Sequence, residues 1–110
     1  MGWEYGIKTK QPAILPELVK RLAGAIHVSD PYRIERYDNG FTLLQDDTSW
    51  PLALQVSIET AIGIEDITDG ETYVYCLFHI RNELAAGWLK QMELETEAHR
   101  YDGMLEWFEL

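Results

Sequence analysis

The residue types that most often carry catalysis or bind metals are sparse in this sequence of 110 residues. It contains three histidines and one cysteine: His27, His79, His99 and Cys76. No two histidines have the i, i+4 spacing that places two imidazoles on one face of a helix, so the pattern does not predict a zinc site. Cys76 and His79 lie three residues apart in a segment typical of a strand, where successive side chains point to opposite faces. We therefore expect no thiol–imidazole dyad.

Neighbouring acidic residues are the other candidates for chemistry. They occur at 46–47, at 65–66 and at alternate positions from 93 to 97. Acid–base catalysis requires two carboxyl groups in unlike environments, one of them removed from water, whereas adjacent acids in polar loops remain solvated. The acids around Gly70 also lack the order and the distal glutamate of a calcium-binding loop. We therefore predict that the protein is not an enzyme and has no catalytic residue, metal site or cofactor.

Acidic residues interleaved with aromatic residues form the pattern that indicates a function. In the segment 46–51 a tryptophan follows two acids, and the segment 93–110 holds six acids, one base and three aromatic residues. On a protein surface, such acids steer a basic partner and the aromatic rings fill its pockets. The predicted protein-binding residues are Asp46, Asp47, Trp50, Glu93, Glu95, Glu97, Asp102, Glu106 and Trp107. The alternative is that Trp50 caps the core and Trp107 fixes the C-terminal segment to the body of the domain.

The charge is strongly negative and unevenly distributed. Nine Lys and Arg stand against nineteen Asp and Glu, and residues 52–110 carry twelve of these acids and three of the bases. A surface that binds nucleic acid or an anionic membrane needs the opposite sign, so we predict neither interaction. A basic protein is the partner that this charge favours. The alternative is that the acidity only keeps the protein soluble.

No targeting signal is evident in the sequence. Residues 1–10 lack the apolar stretch of a signal peptide, and no apolar run reaches the length of a membrane span. The single cysteine cannot form an internal disulfide, so nothing indicates an oxidising compartment. Together these observations predict a cytoplasmic protein.

The strands are predicted from period-two patterns and turn signals. Residues 3–8 suit a short first strand, and the Asn-Gly pair at 39–40 predicts a hairpin between strands 32–37 and 41–45. From 52 to 64 the large apolar residues occupy even positions, interrupted by a single threonine. This alternation predicts a long strand with one buried face, either bent or broken near the threonine.

A second hairpin is predicted at Asp69-Gly70, leading into a strand over residues 71–80. With a two-residue turn, Ile64 pairs with Tyr75, and His79 falls on the core side as a hydrogen-bonded structural residue. In this register a second face of the strand is also apolar, and it carries Val74, Cys76, Phe78 and Ile80. We expect that face either to be covered within the chain or to form the interface of a homodimer.

Two helices are predicted by apolar residues at helical spacing. Pro16 suits the first turn of the first helix, which is expected to end before Ser29. Asn82 is a favourable N-cap for the second helix. The end of that helix carries three acids against the helix dipole, at positions 93, 95 and 97. Either the helix ends early or these acids serve something other than stability.

The order of elements is β-α-β-β-β-β-α, followed by a C-terminal segment docked on the body. This order predicts one α+β domain over residues 1–110, with a mostly antiparallel sheet of about four to five strands and two helices packed on it. The functional hypothesis is an acidic, non-enzymatic protein-binding domain, most concretely an inhibitor or immunity-type protein against a basic partner. The alternatives are a dimeric secretion-chaperone-like protein and a small enzyme or ligand-binding domain with a pocket built from residues distant in sequence.

Overall fold

The computed structural model describes residues 3–46, 51–97, 101 and 103–110. These residues form six strands and two α-helices, which confirms the predicted α+β class with a sheet one strand larger than expected. The elements are β1 (Trp3–Thr9), a 3-10 turn (Pro12–Ile14), α1 (Leu15–Ala25), β2 (Tyr32–Tyr37), β3 (Gly40–Gln45), β4 (Leu52–Thr60), β5 (Thr72–Phe78), α2 (Glu83–Thr96) and β6 (Leu105–Glu109). The additional strand, β6, is the segment that was predicted only to dock on the body.

The sheet is antiparallel throughout, in the order β2-β3-β4-β5-β1-β6. The chain therefore brings its first and last strands together, with β1 between β5 and β6. Both helices cover one face of this sheet, and we call the opposite face the open face. No helix among the described residues is long and apolar enough to cross a membrane.

The main core lies between the sheet and the helices. Alternate strand residues point into it because side chains alternate across a strand. Its fully buried members include Ile7, Phe41, Leu43, Leu54, Val56, Val74, Cys76 and Phe78 from the sheet, and Leu18, Leu22, Trp88 and Met92 from the helices. Trp88 packs edge-on against Tyr32 of β2, with ring centroids 5.1 Å apart. The amphipathic patterns of the sequence therefore place most of this core correctly, but Ile62, on the predicted buried face of strand 52–64, is 80% exposed.

The predicted register between β4 and β5 is wrong. Instead of Ile64 pairing with Tyr75, the structure pairs Ile58 with Val74, and β4 ends at Thr60. Residues 61–71 form a loop, which Ala61 closes by donating its N–H to the Glu71 carbonyl at 2.8 Å. This register places the apolar residues at even positions of β4 and those at even positions of β5 on the same face of the sheet, under the helices. The second apolar face that suggested a homodimer is therefore part of the main core.

The loop 61–71 folds over one end of the open face. Ala61, Ile67 and Tyr73 are buried there in a small second core, against which Phe108 of β6 packs. Phe108 lies where a side chain at Gly6 of β1 would otherwise stand. The absence of a side chain at Gly6 is what lets the ring pack against the sheet at this point.

The hairpin between β2 and β3 is confirmed, although its glycine has a different role from the predicted one. Tyr37 pairs directly with Gly40, so the two turn residues are Asp38 and Asn39. Gly40 is already in the strand, and the backbone of Val56 occupies the space that a Cβ at this position needs. The glycine therefore permits close approach of β4 rather than the turn itself.

The second helix begins as the sequence predicts. The side chain of Asn82 accepts a hydrogen bond from the Ala85 N–H at 2.9 Å, as an N-cap does. At its other end α2 continues to Thr96, so it does not end before the acids. Glu93 and Glu95 therefore lie in the last turn, where the helix dipole disfavours negative charge.

Candidate functional site

The predicted protein-binding residues that the structure describes lie in two separate parts of the sheet. Asp46 directly follows β3, whereas Glu106 and Trp107 belong to β6. Three strands separate β3 from β6, which corresponds to roughly 19 Å at about 4.8 Å per strand spacing. Asp47, Trp50 and Asp102 lie outside the described residues. Within the described part, the predicted set is thus split into Asp46 alone and a group around β6 and the end of α2.

Asp46 is bound within the chain by Arg33 of β2. The guanidinium Nε donates to both carboxylate oxygens of Asp46, at 3.0 and 3.2 Å, while Nη1 donates to Glu35 at 2.6 Å. The hydrogen bond to Glu35 and then that to Asp46 raise the pKa of Arg33, and Arg33 lowers the pKa of Glu35. Asp46 is therefore already engaged by a cationic neighbour, which makes it a poor candidate for attracting a partner.

Around β6, residues from three elements form a groove between the last turn of α2 and the edge of the sheet. We call it the acid–aromatic groove; its volume is about 250 Å³. It is lined by Tyr5, Leu89, Glu93, Trp107, Phe108 and Glu109. Two of these residues, Glu93 and Trp107, were predicted as binding residues. The groove is thus the place where the structure brings part of the predicted site together.

The remaining lining residues were missed by the sequence analysis. Leu89 precedes Glu93 by one helical turn, so the sequence could have predicted that both lie on the same face of the helix. Tyr5 and Glu109 pair directly across β1 and β6, near the two ends of the chain. No local pattern indicates such a pairing, because it depends on which strands become neighbours in the sheet.

Trp107 ties the groove together through a chain of hydrogen bonds. Its indole N–H donates to the Thr96 hydroxyl at 2.8 Å, and that hydroxyl donates to the Glu93 carbonyl at 2.8 Å. The ring also packs edge-on against Tyr5, with centroids 6.3 Å apart. The last turn of α2 is therefore fixed to both β6 and β1, which holds the two sides of the groove at a defined separation.

The electrostatic character of the groove is negative. Burial raises the pKa of the Tyr5 phenol above its ordinary value, and the charges of Glu109 and Glu93 raise it further. Both carboxylates thus act on the same phenol. Neither of them forms a salt bridge with a described residue. Within the part of the chain that the structure describes, the groove therefore offers two carboxylates without a salt-bridge partner beside aromatic and aliphatic surface.

The other predicted acids in the described part of the chain, Glu95, Glu97 and Glu106, do not line the groove. Glu106 points to the open face and forms an ion pair with Lys8 of β1 at 3.7 Å. Both line a separate cavity of about 270 Å³ beneath the loop 61–71, where acidic and basic side chains are mixed. Glu95 is half-buried in the last turn of α2, and Glu97 is exposed at its end.

The open face carries a second shallow groove, of about 290 Å³, lined by Gln55, Ser57, Glu59, Tyr73 and Tyr75. Burial and the charge of Glu4 raise the pKa of Tyr75. His79 lies on this side too, half-buried, with its Nε2 2.9 Å from the Gln55 side-chain oxygen. The prediction that His79 faces the core is therefore wrong, because it used the wrong register.

The geometry gives no support for nucleophilic chemistry at Cys76. Its thiol is fully buried under the helices, on the opposite face from His79, and burial raises its pKa to about 12. A thiol with such a pKa is protonated at neutral pH and is a poor nucleophile. Among the described residues, no group of three or more His, Cys, Asp or Glu side chains is placed to hold a metal ion.

No protein-family model, curated protein or solved structure matches the chain. The geometry of the acid–aromatic groove and the charge of the chain are therefore the observations from which a function is inferred.

Proposed function

We propose that the protein is a non-enzymatic binding domain that captures a basic segment of a partner protein in the acid–aromatic groove. The observation that carries this proposal is the pair of Glu93 and Glu109. Neither has a cationic partner among the described residues, and both act on Tyr5. A lysine or arginine side chain supplies the missing charge.

The groove matches the two parts of such a side chain. Lys and Arg have an aliphatic stem that packs on apolar surface and a charged head that seeks a carboxylate. Leu89 and Trp107 offer the apolar surface, and the carboxylates lie beside it. The aromatic rings also attract a cation through their faces. Placing an acid in the last turn of α2 costs stability in the free protein, and a bound cation offsets that cost.

The charge of the whole chain suits a basic partner. A net charge of −10 accelerates the approach of a positively charged protein and repels nucleic acid and other acidic proteins. The most concrete form of the proposal is an inhibitor or immunity-type protein that blocks a basic partner. The chaperone-like alternative relied on an apolar dimer face, and Phe78 on that face lies under the helices, so no observation now favours it.

Exchanging the groove carboxylates for amides tests this function. We predict that Glu93→Gln with Glu109→Gln raises the dissociation constant of a lysine-rich peptide about tenfold, equivalent to about 1.4 kcal/mol. Isothermal titration calorimetry at low and at physiological ionic strength measures the change. Affinity is expected to fall as salt rises, because exposed charges are screened beyond about 8 Å at physiological ionic strength.

The control is Glu65→Gln with Asp66→Asn, which removes the same charge from an exposed loop outside the groove. If both double variants weaken binding equally, only net charge matters and the groove is not the site. Undetectable binding of the peptide even at low salt contradicts the proposed function itself.

A further inference from the structure

The outer edge of β6 displays backbone groups that no described strand pairs. β6 is the last strand of the sheet, and only β1 lies beside it. The Leu110 N–H donates to the Glu4 carbonyl at 3.1 Å, which makes these two residues a hydrogen-bonded pair. Because such pairs alternate in an antiparallel ladder, Phe108 and Glu106 also bond to β1. The N–H and C=O groups of the residues between them, Leu105, Trp107 and Glu109, therefore point outward.

The outward-pointing residues include two that line the acid–aromatic groove. Trp107 and Glu109 direct their backbone groups to the free edge and contribute to the groove between β6 and α2. A further strand would lie about 4.8 Å beyond β6. Every second side chain of that strand would point to the helix-covered face of the sheet, beside the groove and its carboxylates.

We propose that β6 accepts an extended basic segment of the partner as a seventh strand, with alternate Lys or Arg side chains in the acid–aromatic groove. This inference rests on the proposed function and specifies how the partner is held. Backbone pairing supplies affinity without regard to sequence, while the carboxylates select for cations at alternate positions.

Charge indicates which edge strand accepts the segment and which kind of segment binds there. The other edge strand, β2, has two bases and one acid, whereas β6 has two acids and no base. Sheet edges are commonly protected by lysine, proline or a bulge. β6 contains no lysine and no proline. A second copy of this chain on the same edge would place acidic strands side by side, which is unfavourable. A basic segment on this edge instead lies beside a strand of opposite charge, which is favourable.

Amide hydrogen exchange on the ¹⁵N-labelled full chain tests the proposal. The probe is an acetylated octapeptide of alternating lysine and valine. We expect the outward amides of Trp107 and Glu109 to exchange at least tenfold more slowly at saturating peptide. The amides of Glu106 and Phe108, already bonded to β1, are expected to change little. Protection of all four amides to the same extent, or of none, overturns strand addition.

Two further peptides separate backbone pairing from simple charge attraction. Both peptides keep the side chains of the probe. One is N-methylated at its lysines and the other at its valines. Only one edge of a strand can pair with β6, so one methylated peptide should bind as the probe does and the other at least tenfold more weakly. Equal affinities of the two peptides overturn the proposal.

The outcomes distinguish a failure of strand addition from a failure of the proposed function. If the probe binds and Glu93→Gln with Glu109→Gln weakens it, but no outward amide is protected, the proposed function stands and strand addition fails. If no peptide binds at low salt, the proposed function fails, and strand addition with it. If the outward amides are protected without peptide and sedimentation shows a dimer, a second copy occupies the edge and the basic occupant is excluded.

Discussion

At the scale of single residues, Trp107 has a structural role that the sequence had left open. Its indole N–H is bonded to Thr96 in the last turn of α2, and its ring lines the acid–aromatic groove. The same side chain thus fixes the C-terminal strand to the helix and forms part of the proposed binding surface. A variant that simply deletes the ring would confound the two roles.

We predict that Thr96→Val lowers the free energy of unfolding by about 1–2 kcal/mol, because the half-buried indole of Trp107 loses its acceptor while the shape at position 96 is kept. Urea denaturation followed by circular dichroism measures the loss. Thr96 also bonds to the Glu93 carbonyl, so part of the loss comes from that contact.

A double-mutant cycle isolates the bond to the indole. Trp107→Phe removes the donor and keeps an aromatic ring. If the bond is stabilising, Thr96→Val should cost at least about 0.5 kcal/mol less in the Trp107→Phe background than in the wild-type protein. Strictly additive losses would mean that the bond does not stabilise the junction between α2 and β6.

At the scale of the elements, the packing of β6 against β1 depends on a glycine as well as on backbone hydrogen bonds. Phe108 packs over Gly6 and reaches the small core under the loop 61–71. A side chain at Gly6 would displace that ring. The attachment of the proposed binding edge thus depends on one position in the first strand.

We predict that Gly6→Ala destabilises the protein by about 1–3 kcal/mol, because the new methyl group overlaps the ring of Phe108. The matched control is Gly24→Ala in α1, where nothing lies within 4 Å of the added methyl group. That change should stabilise the protein by about 0.5–1 kcal/mol, since alanine favours the helix. Chemical denaturation of both variants checks the opposite signs; a neutral Gly6→Ala would contradict the packing of Phe108.

At the scale of the whole molecule, the sheet has one covered face and one largely polar open face. The apolar residues of β4 and β5 share the covered face. The apolar surface that had indicated a homodimer is therefore intramolecular, and the features that remain for partners are the open face, the edges and the acid–aromatic groove.

We predict that Phe78→Glu abolishes folding rather than producing a folded monomer. Phe78 is 0% exposed, and removing a buried phenylalanine ring alone costs about 3–5 kcal/mol, a large part of the 5–15 kcal/mol typical of a domain. Burying a carboxylate adds to that cost. Loss of the circular dichroism signal and of the thermal transition is the expected result. A folded variant that sediments more slowly than the wild type would restore the dimer interface.

The sequence by itself determined what short stretches of chain encode. The alternation in β4, the N-cap at Asn82 and the hairpin after β2 are each set by a few neighbouring residues, so they were predicted. The register of β4 with β5 was not, because hydrogen bonds within the loop 61–71, such as that of Gly63 to Asp69, end the strand early. That error also misplaced His79.

The site divides in the same way. The excess of acids and the nearness of aromatic residues to them are properties of composition, and the sequence established both. Which acids act together depends on strand order, and only the tertiary structure decided it. Asp46 is bound by Arg33 at one edge, whereas Glu93 meets Glu109 and Tyr5 at the other. The physical reason is that β1 and β6 are far apart in the sequence, so their pairing depends on the arrangement of the whole sheet and not on local residue patterns.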